Sequence, residues 1–251
     1  MVETSDSSVD GECLVGVLHH SKIRQRVVEI DHPALPSVVR VEQRPDAPFT
    51  DEADGTCRRI WPTAVVLSRY FCANPDMLKG KRILELGAGA GIVGLVCAAL
   101  GAELVVITDM PEALPLIEAN VQRNSAVESQ VAVMPCTWGD SEHENAILER
   151  AGGKFDLVIA CEVVYKQDSS VLKALAETQR RLLLDSGFAM TAYEYRGELF
   201  DDIAYFDAVN ALFNCEAMPL RHYEGDLAED DEEESRYVYW YKPLRPEIMS
   251  S

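Results

Sequence analysis

Apolar positions along the chain recur with two spacings, and from residue 61 onward the two alternate. Trp61 to Cys72 keeps helical spacing, with Ala64, Leu67 and Phe71 on one face and Pro62 in the first turn, where its missing N–H costs nothing. Short apolar runs then alternate with longer helical patterns. Arg82–Leu86 (RILEL) predicts a strand, Ile92–Leu100 a helix closed by Gly101, and Leu104–Thr108 (LVVIT) a second strand. Glu112–Asn124 predicts a helix, Gln130–Met134 a third strand, and Asn145–Ala151 a short helix ended by Gly152-Gly153. Phe155–Cys161 (FDLVIAC) is a fourth strand, Ser169–Leu184 an amphipathic helix, Gly187–Tyr193 a fifth strand and Leu199–Phe213 a further helix. Cys215–Arg221 and Tyr237–Lys242 are joined by a loop alone, which predicts an antiparallel hairpin.

Strands alternating with helices pair in parallel through right-handed crossovers. Five such units and a terminal hairpin predict an α/β fold: a doubly wound, mostly parallel seven-stranded sheet with a C-terminal antiparallel hairpin. Ahead of it, residues 1–12 are acidic and polar and read as disordered. Residues 13–55 hold apolar runs (Leu14–Leu18, Arg26–Ile30, Val38–Val41) and read as a short β extension followed by a Pro- and Asp-rich loop. The main domain is expected over 56–243 and a tail over 244–251.

Composition narrows the function classes. Of the 251 residues 23 are Lys or Arg and 42 Asp or Glu, a net charge of −19. A phosphate backbone is repelled by such a field, so nucleic acid is not an expected partner, whereas a basic protein fits it. The seven cysteines (13, 57, 72, 97, 136, 161 and 215) have no C-x-x-C spacing and an odd count. They read as reduced thiols of a cytoplasmic or nuclear protein, with neither a disulfide framework nor a metal site. The N-terminus lacks the charged-then-apolar order of a signal peptide, and Ile92–Ala102, the longest apolar stretch, is too short to span a bilayer. A soluble monomer is expected. Glu224–Glu234 carries eight acidic residues in eleven and reads as a solvated loop, with steering of a basic substrate as the sharper alternative.

The sharpest chemical signal is Glu85-Leu86-Gly87-Ala88-Gly89-Ala90-Gly91 between a strand and a helix. Glycines there allow a tight turn and close approach to a ligand, and the next helix aims its first N–H groups at the same spot. Asp109 ends the second strand, 22 residues after Gly87, where an acidic side chain accepts both hydroxyls of an adenosine ribose. Both features serve a dinucleotide or S-adenosylmethionine. Two details favour the methyl donor. Gly91 follows Gly89 by two positions, not the three of the usual dinucleotide pattern. Glu85 repels a pyrophosphate but suits the donor's cationic methionine end.

Five motifs in order then resemble the eukaryotic methyltransferase family 16 group, the seven-strand protein lysine methyltransferases. They are Arg59 to Ala64 (RIWPTA), Glu85 to Gly91, Val106 to Met110 (VITDM), Thr137-Trp138-Gly139, and Cys161 to Tyr165 (CEVVY). The resemblance covers roughly residues 57–243 and implies a Rossmann-like methyltransferase fold, S-adenosylmethionine as cofactor and a protein lysine as methyl acceptor. It places Trp61 beside the methionine end, Gly87, Ala88 and Gly89 under the cofactor, and Asp109 on the ribose. Met110 and Trp138 fall near the adenine, and Cys161 meets the cofactor through its backbone carbonyl. Glu162 and Tyr165 then face the target amine as catalytic residues. Two positions depart from the family, which usually has Asp where Glu162 stands and often Trp-Asp where Trp61-Pro62 stands.

Tyr193 and Glu194, ending strand five, are expected on the same edge as substrate-binding residues. Each aromatic also has a plain reading as core, and Glu162 one as a solvated carboxylate. Three further classes stay open: a same-fold enzyme acting on a small molecule or another side chain, a non-catalytic cofactor-binding module, and a nicotinamide-dependent oxidoreductase.

Overall fold

Three apolar runs stand side by side at the centre of one sheet in the computed structural model, which describes residues 23, 25–44, 56–165, 167–195, 199–227 and 236–244. The expectations for residues 1–12, Leu14–Leu18, most of the Pro-rich loop, most of the acidic run and most of the tail lie outside the described residues. The N-terminal extension contributes a two-stranded antiparallel ribbon, β1 (Val27–Ile30) and β2 (Val39–Glu42). Helix α1 (Pro62–Ala73) follows, with Pro62 in its first turn. The alternation then runs β3 (Arg82–Leu86), α2 (Ile92–Ala99), β4 (Leu104–Asp109), α3 (Leu114–Arg123), β5 (Val131–Pro135), α4 (Ser141–Ala151), β6 (Phe155–Cys161) and α5 (Ser169–Leu182). It closes with β7 (Leu183–Glu194), α6 (Leu199–Leu212), β8 (Phe213–Pro219) and β9 (Arg236–Pro243).

The seven strands are ordered β5-β4-β3-β6-β7-β9-β8, the first five parallel and the last two antiparallel to their neighbours. This is the expected α/β fold. Strands β3, β4 and β6 are buried on both faces, which is why their sequences are continuous apolar runs with no alternation. Helices α1, α2 and α3 pack on one face together with the β1–β2 ribbon, and α4, α5 and α6 pack on the other. Every residue of α2 is buried, so its sequence has no polar face to betray helical period.

The boundaries shift for identifiable reasons. Helix α4 begins at Ser141, four residues earlier than expected, because the Asp140 carboxylate accepts the backbone N–H groups of Glu142 and His143. Helix α5 passes into β7 with no intervening loop, so the strand begins at Leu183, before Gly187. The terminal strand β9 inserts between β7 and β8, which leaves β8 as the edge, and four consecutive β8 residues from Asn214 to Ala217 are exposed. Among the described residues no helix is long and apolar enough to cross a membrane.

One buried cation ties the carboxyl end of the sheet together. Arg236, 2% exposed, pairs with Glu194 of β7 at 2.7 Å and with Glu224 at 3.2 Å, and also donates to the carbonyl of Leu227 at 3.1 Å. Arg69 of α1 donates to the Glu224 carbonyl and pairs with Asp226 at 2.7 Å, so the turns after β8 are bolted to the core. Removing one partner of a buried pair leaves the other charge desolvated. Arg236→Leu is therefore expected to lower stability by about 3–5 kcal/mol, read from urea unfolding; Glu194→Gln in the same background is expected to recover part of the loss.

Candidate active site

The chain order reverses around β3, whose neighbours β4 and β6 are reached in opposite directions, and ligand crevices form at the carboxyl ends of strands at such a point. A cavity of about 510 Å³ opens there, within the range of small-molecule sites. It is walled by the turn after β3, the end of β4, the segment after β5, the segment after β6 and the irregular stretch Thr56–Trp61.

The glycine turn is held by its neighbour strand. The Ala88 N–H donates to the Thr108 carbonyl at 3.0 Å, and the Gly89 N–H to Asp109 Oδ2 at 2.7 Å. Thr108 Oγ1 returns a bond to the Glu85 carbonyl at 2.7 Å. Gly87 has φ +67°, and a Cβ there would stand 2.6 Å from Val163 Cγ1 and 3.2 Å from the Trp138 ring, so only glycine lets three segments meet.

Asp109 is 8% exposed and lines the cavity. Its Oδ1 accepts the Met110 N–H at 2.7 Å, so each carboxylate oxygen holds one backbone donor and keeps an acceptor site open. Burial pushes its pKa up while the two N–H bonds pull it down. Met110 is about half exposed at the rim. Trp138 lines the cavity beside Gly87, and Gly139, next to it, donates to Thr178 Oγ1 at 2.9 Å. Trp61 and Tyr165 pack with ring centres 5.8 Å apart and planes tilted by 57°, and the Trp61 indole N–H reaches the Thr56 carbonyl at 3.4 Å.

Glu162 is buried and has φ +56°, the one described non-glycine residue with positive φ, and its N–H donates to the Ala192 carbonyl at 2.9 Å. A side chain in that left-handed region costs about 1–2 kcal/mol, an expense met where surrounding structure over-determines the backbone. Asp tolerates it better than Glu.

Glu85 is 2% exposed, and its Oε2 accepts the Gly94 N–H of α2 at 2.9 Å. Burial pushes its pKa from 4.5 up to about 8, against the pull of that bond and with help from the nearby Asp109. Four carboxylates (Glu85, Asp109, Glu112 and Glu162) and one cation, Arg59, are among the described lining residues.

The structure thus brings Trp61, Glu85, Gly87, Ala88, Gly89, Asp109, Met110, Trp138, Cys161, Glu162 and Tyr165 around one cavity. Tyr193 and Glu194 are not brought there, which corrects the expectation that they line a substrate channel. Tyr193 is core: its hydroxyl donates to Asp202 and its ring packs edge-on against Phe206. Glu194 is consumed by the Arg236 pair. Sequence reasoning missed Arg59, Thr56, Cys57 and Val163 as wall residues. The first three lie in or just after a single 3-10 turn, too short to show a period, and Val163 resembles any apolar residue after a strand.

The folded protein holds a proton on Glu85 that the unfolded chain releases between pH 4.5 and about 8. For this group stability is greatest below pH 4.5 and falls as pH rises through that window. Glu85→Gln removes the fall. Urea unfolding at about pH 5 and about pH 8.5 is expected to show the variant gaining on the natural protein as pH rises.

Comparison with known proteins agrees with this architecture. A family model described as lysine methyltransferase matches residues 48–211. The zebrafish (Danio rerio) protein N-lysine methyltransferase METTL21A is 40% identical over 130 residues, 51% of this chain and 56% of the relative. Mouse (Mus musculus) EEF1A lysine methyltransferase 3 is 31% identical over 185 residues, 74% of this chain and 72% of the relative. The first match thus spans little more than half the length of that relative. Among solved structures, the glycopeptide N-methyltransferase MtfA complexed with S-adenosyl-L-homocysteine superposes with a TM-score of 0.56 at 11% identity, over 72% of this chain and 90% of that one. The match over residues 48–211, on the same fold and around the same crevice, establishes that the chain belongs to the lysine methyltransferase family.

Proposed function

We propose that the chain is an S-adenosylmethionine-dependent methyltransferase acting on a lysine side chain of a protein. The observation that carries the reading is the cavity's charge. Asp109, Glu112 and Glu162 against one guanidinium, with Glu85 ready to give up its proton beside a cation, suit a donor bearing a sulfonium, an ammonium and a single carboxylate, and repel the pyrophosphate of a dinucleotide. Family membership supports the same reading.

The residues present fit the group. Asp109, with one acceptor site open on each oxygen, suits a pair of ribose hydroxyls. Gly87, Ala88 and Gly89 offer backbone without obstruction, and Met110 and Trp138 give apolar surface for an adenine. Glu85 and Trp61 suit the ammonium end, the Cys161 carbonyl is an acceptor beside it, and Arg59 is the natural partner for the carboxylate. When bound, S-adenosylmethionine supplies an electrophilic methyl group on a positively charged sulfur.

The chain's own work is to hold and orient the acceptor amine. A free lysine ammonium has pKa about 10.4 and must lose a proton before it is a nucleophile. Glu162, fixed by its strained backbone, accepts an N–H of the incoming group and aims its lone pair. The packed rings of Trp61 and Tyr165 offer one aromatic surface beside the aliphatic stem, favour the cation by their π faces on entry and exclude water afterwards. The net charge of −19 favours basic sequence around the target lysine and disfavours nucleic acid. The six described cysteines are free thiols, which fits a protein working in the reducing cytoplasm.

Incubation with methyl-labelled donor and a cell extract, followed by mass mapping, is expected to place label on lysines of folded proteins. Label confined to free amines would sink the protein-substrate reading, and donor binding without any transfer would leave a binding module. Asp109→Ala and Arg59→Met are expected to weaken donor binding about tenfold or more each, by calorimetry. Glu162→Gln is expected to lower kcat by about a hundredfold with donor affinity little changed.

A further inference from the structure

The β1–β2 ribbon lies outside the alternating fold, yet Glu42, which ends β2, and the two residues after it are tied to two walls of the cavity. Glu42 exchanges two bonds with the buried side-chain amide of Asn120 in α3: its N–H donates to Oδ1 at 2.8 Å and its carbonyl accepts from Nδ2 at 2.9 Å. The same Nδ2 donates to the carbonyl of Ala90, in the glycine turn, at 3.0 Å. The Glu42 carboxylate gathers Arg26 and Arg44 on one oxygen and Arg123 of α3 on the other, at 2.7–3.2 Å.

Gln43, 1% exposed, spends its whole amide on this junction. Its Nε2 donates to the carbonyls of Ile23 and Gln25, and its Oε1 accepts the Ile60 N–H at 2.9 Å. Arg44 donates its backbone N–H to the Arg58 carbonyl at 2.8 Å. Residues 58 and 60 bracket Arg59 and precede Trp61, the two side chains assigned above to the donor's methionine end. The same stretch presses on the glycine turn, where the Cys57 carbonyl stands 3.1 Å from the point at which a Cβ on Gly89 would begin.

Beyond the single 3-10 turn Thr56–Arg58, closed by the Arg59 N–H on the Thr56 carbonyl, this segment has no ladder, so its shape is set by whichever groups satisfy its backbone. For 57–61 two of those groups belong to Gln43 and Arg44, the residues that follow β2. We infer that the end of β2 sets the lip of the cavity, with Gln43 as a positioning residue whose acceptor oxygen holds Ile60 and through it Arg59 and Trp61 against the bound donor. The ribbon is on this account a working part of the cofactor site. The inference rests on the reading of the cavity as a donor site.

Two substitutions separate positioning from general support. Gln43→Leu loses every bond of the amide. Gln43→Glu keeps an acceptor for the Ile60 N–H; buried against the carbonyls of Ile23 and Gln25, its carboxyl keeps its proton and donates to one of them. Donor dissociation constants from calorimetry, with circular dichroism to verify folding, are expected to rise about tenfold for Gln43→Leu and to stay within about threefold for Gln43→Glu. Turnover at saturating donor is expected to fall by a smaller factor than donor affinity in Gln43→Leu, because Trp61 also borders the acceptor.

Equal weakening in the two variants, or none in Gln43→Leu, overturns the inference while leaving the donor reading intact. Failure of the natural protein to bind the donor overturns that reading, and this inference with it. Amide exchange on the natural protein decides the matter if Gln43→Leu does not fold. Donor addition is expected to slow exchange at Ile60 together with Gln43; slowing at Gly87–Gly89 with Ile60 and Gln43 unaltered overturns the inference.

Discussion

The contact between the Asp109 carboxylate and the Gly89 N–H is the hinge on which the site is hung. It joins the carboxyl ends of two adjacent parallel strands through a side chain, where the main-chain ladder has run out. Without it the glycine turn has a free backbone donor and several accessible conformations. With it, and with the Ala88 and Thr108 bonds beside it, the turn is one surface. The cost is a carboxylate buried almost completely in a region already holding Glu85, and burial raises the pKa of both. A cavity lined this way is electrostatically unsettled on its own and is relieved by a cationic occupant.

The segment after β6 carries a second constraint. Glu162 turns left-handed while its N–H is still tied to β7 through Ala192, so the chain leaves the sheet abruptly. That turn puts Glu162 and Tyr165 on the cavity wall rather than letting β6 run on. Where the resembled family commonly has Asp, this chain keeps the charge on a longer arm and accepts more backbone strain. The reach toward an incoming amine differs accordingly.

Much of this was legible in the amino-acid order. Continuous apolar runs such as Phe155–Cys161 mark strands covered on both faces, and the alternation of runs with helical patterns dictates a parallel sheet. The glycine turn and Asp109 are local signals with a physical reason for their spacing, so their position on the cavity follows from topology. What escaped reading depends on pairings distant in sequence. Nothing in Gln43 distinguishes a surface amide from one bonded to Ile60 and two carbonyls of an earlier segment. Tyr193 and Glu194 end a strand at the functional edge, and only the burial of Arg236 and the placement of Asp202 reveal that both are spoken for. Asp140, recruiting two N–H groups, lengthened α4 beyond what its apolar pattern shows.

The Arg236 junction has a practical corollary. Leu227 and Arg236 are linked directly, carbonyl to guanidinium, so the polypeptide between them departs and returns through a point already closed. Closing a longer excursion between two fixed anchors adds entropy only as the logarithm of its length. A fluorescent reporter or affinity handle threaded into the chain between these two anchors is therefore closed off from sheet and cavity by the Arg236 junction itself.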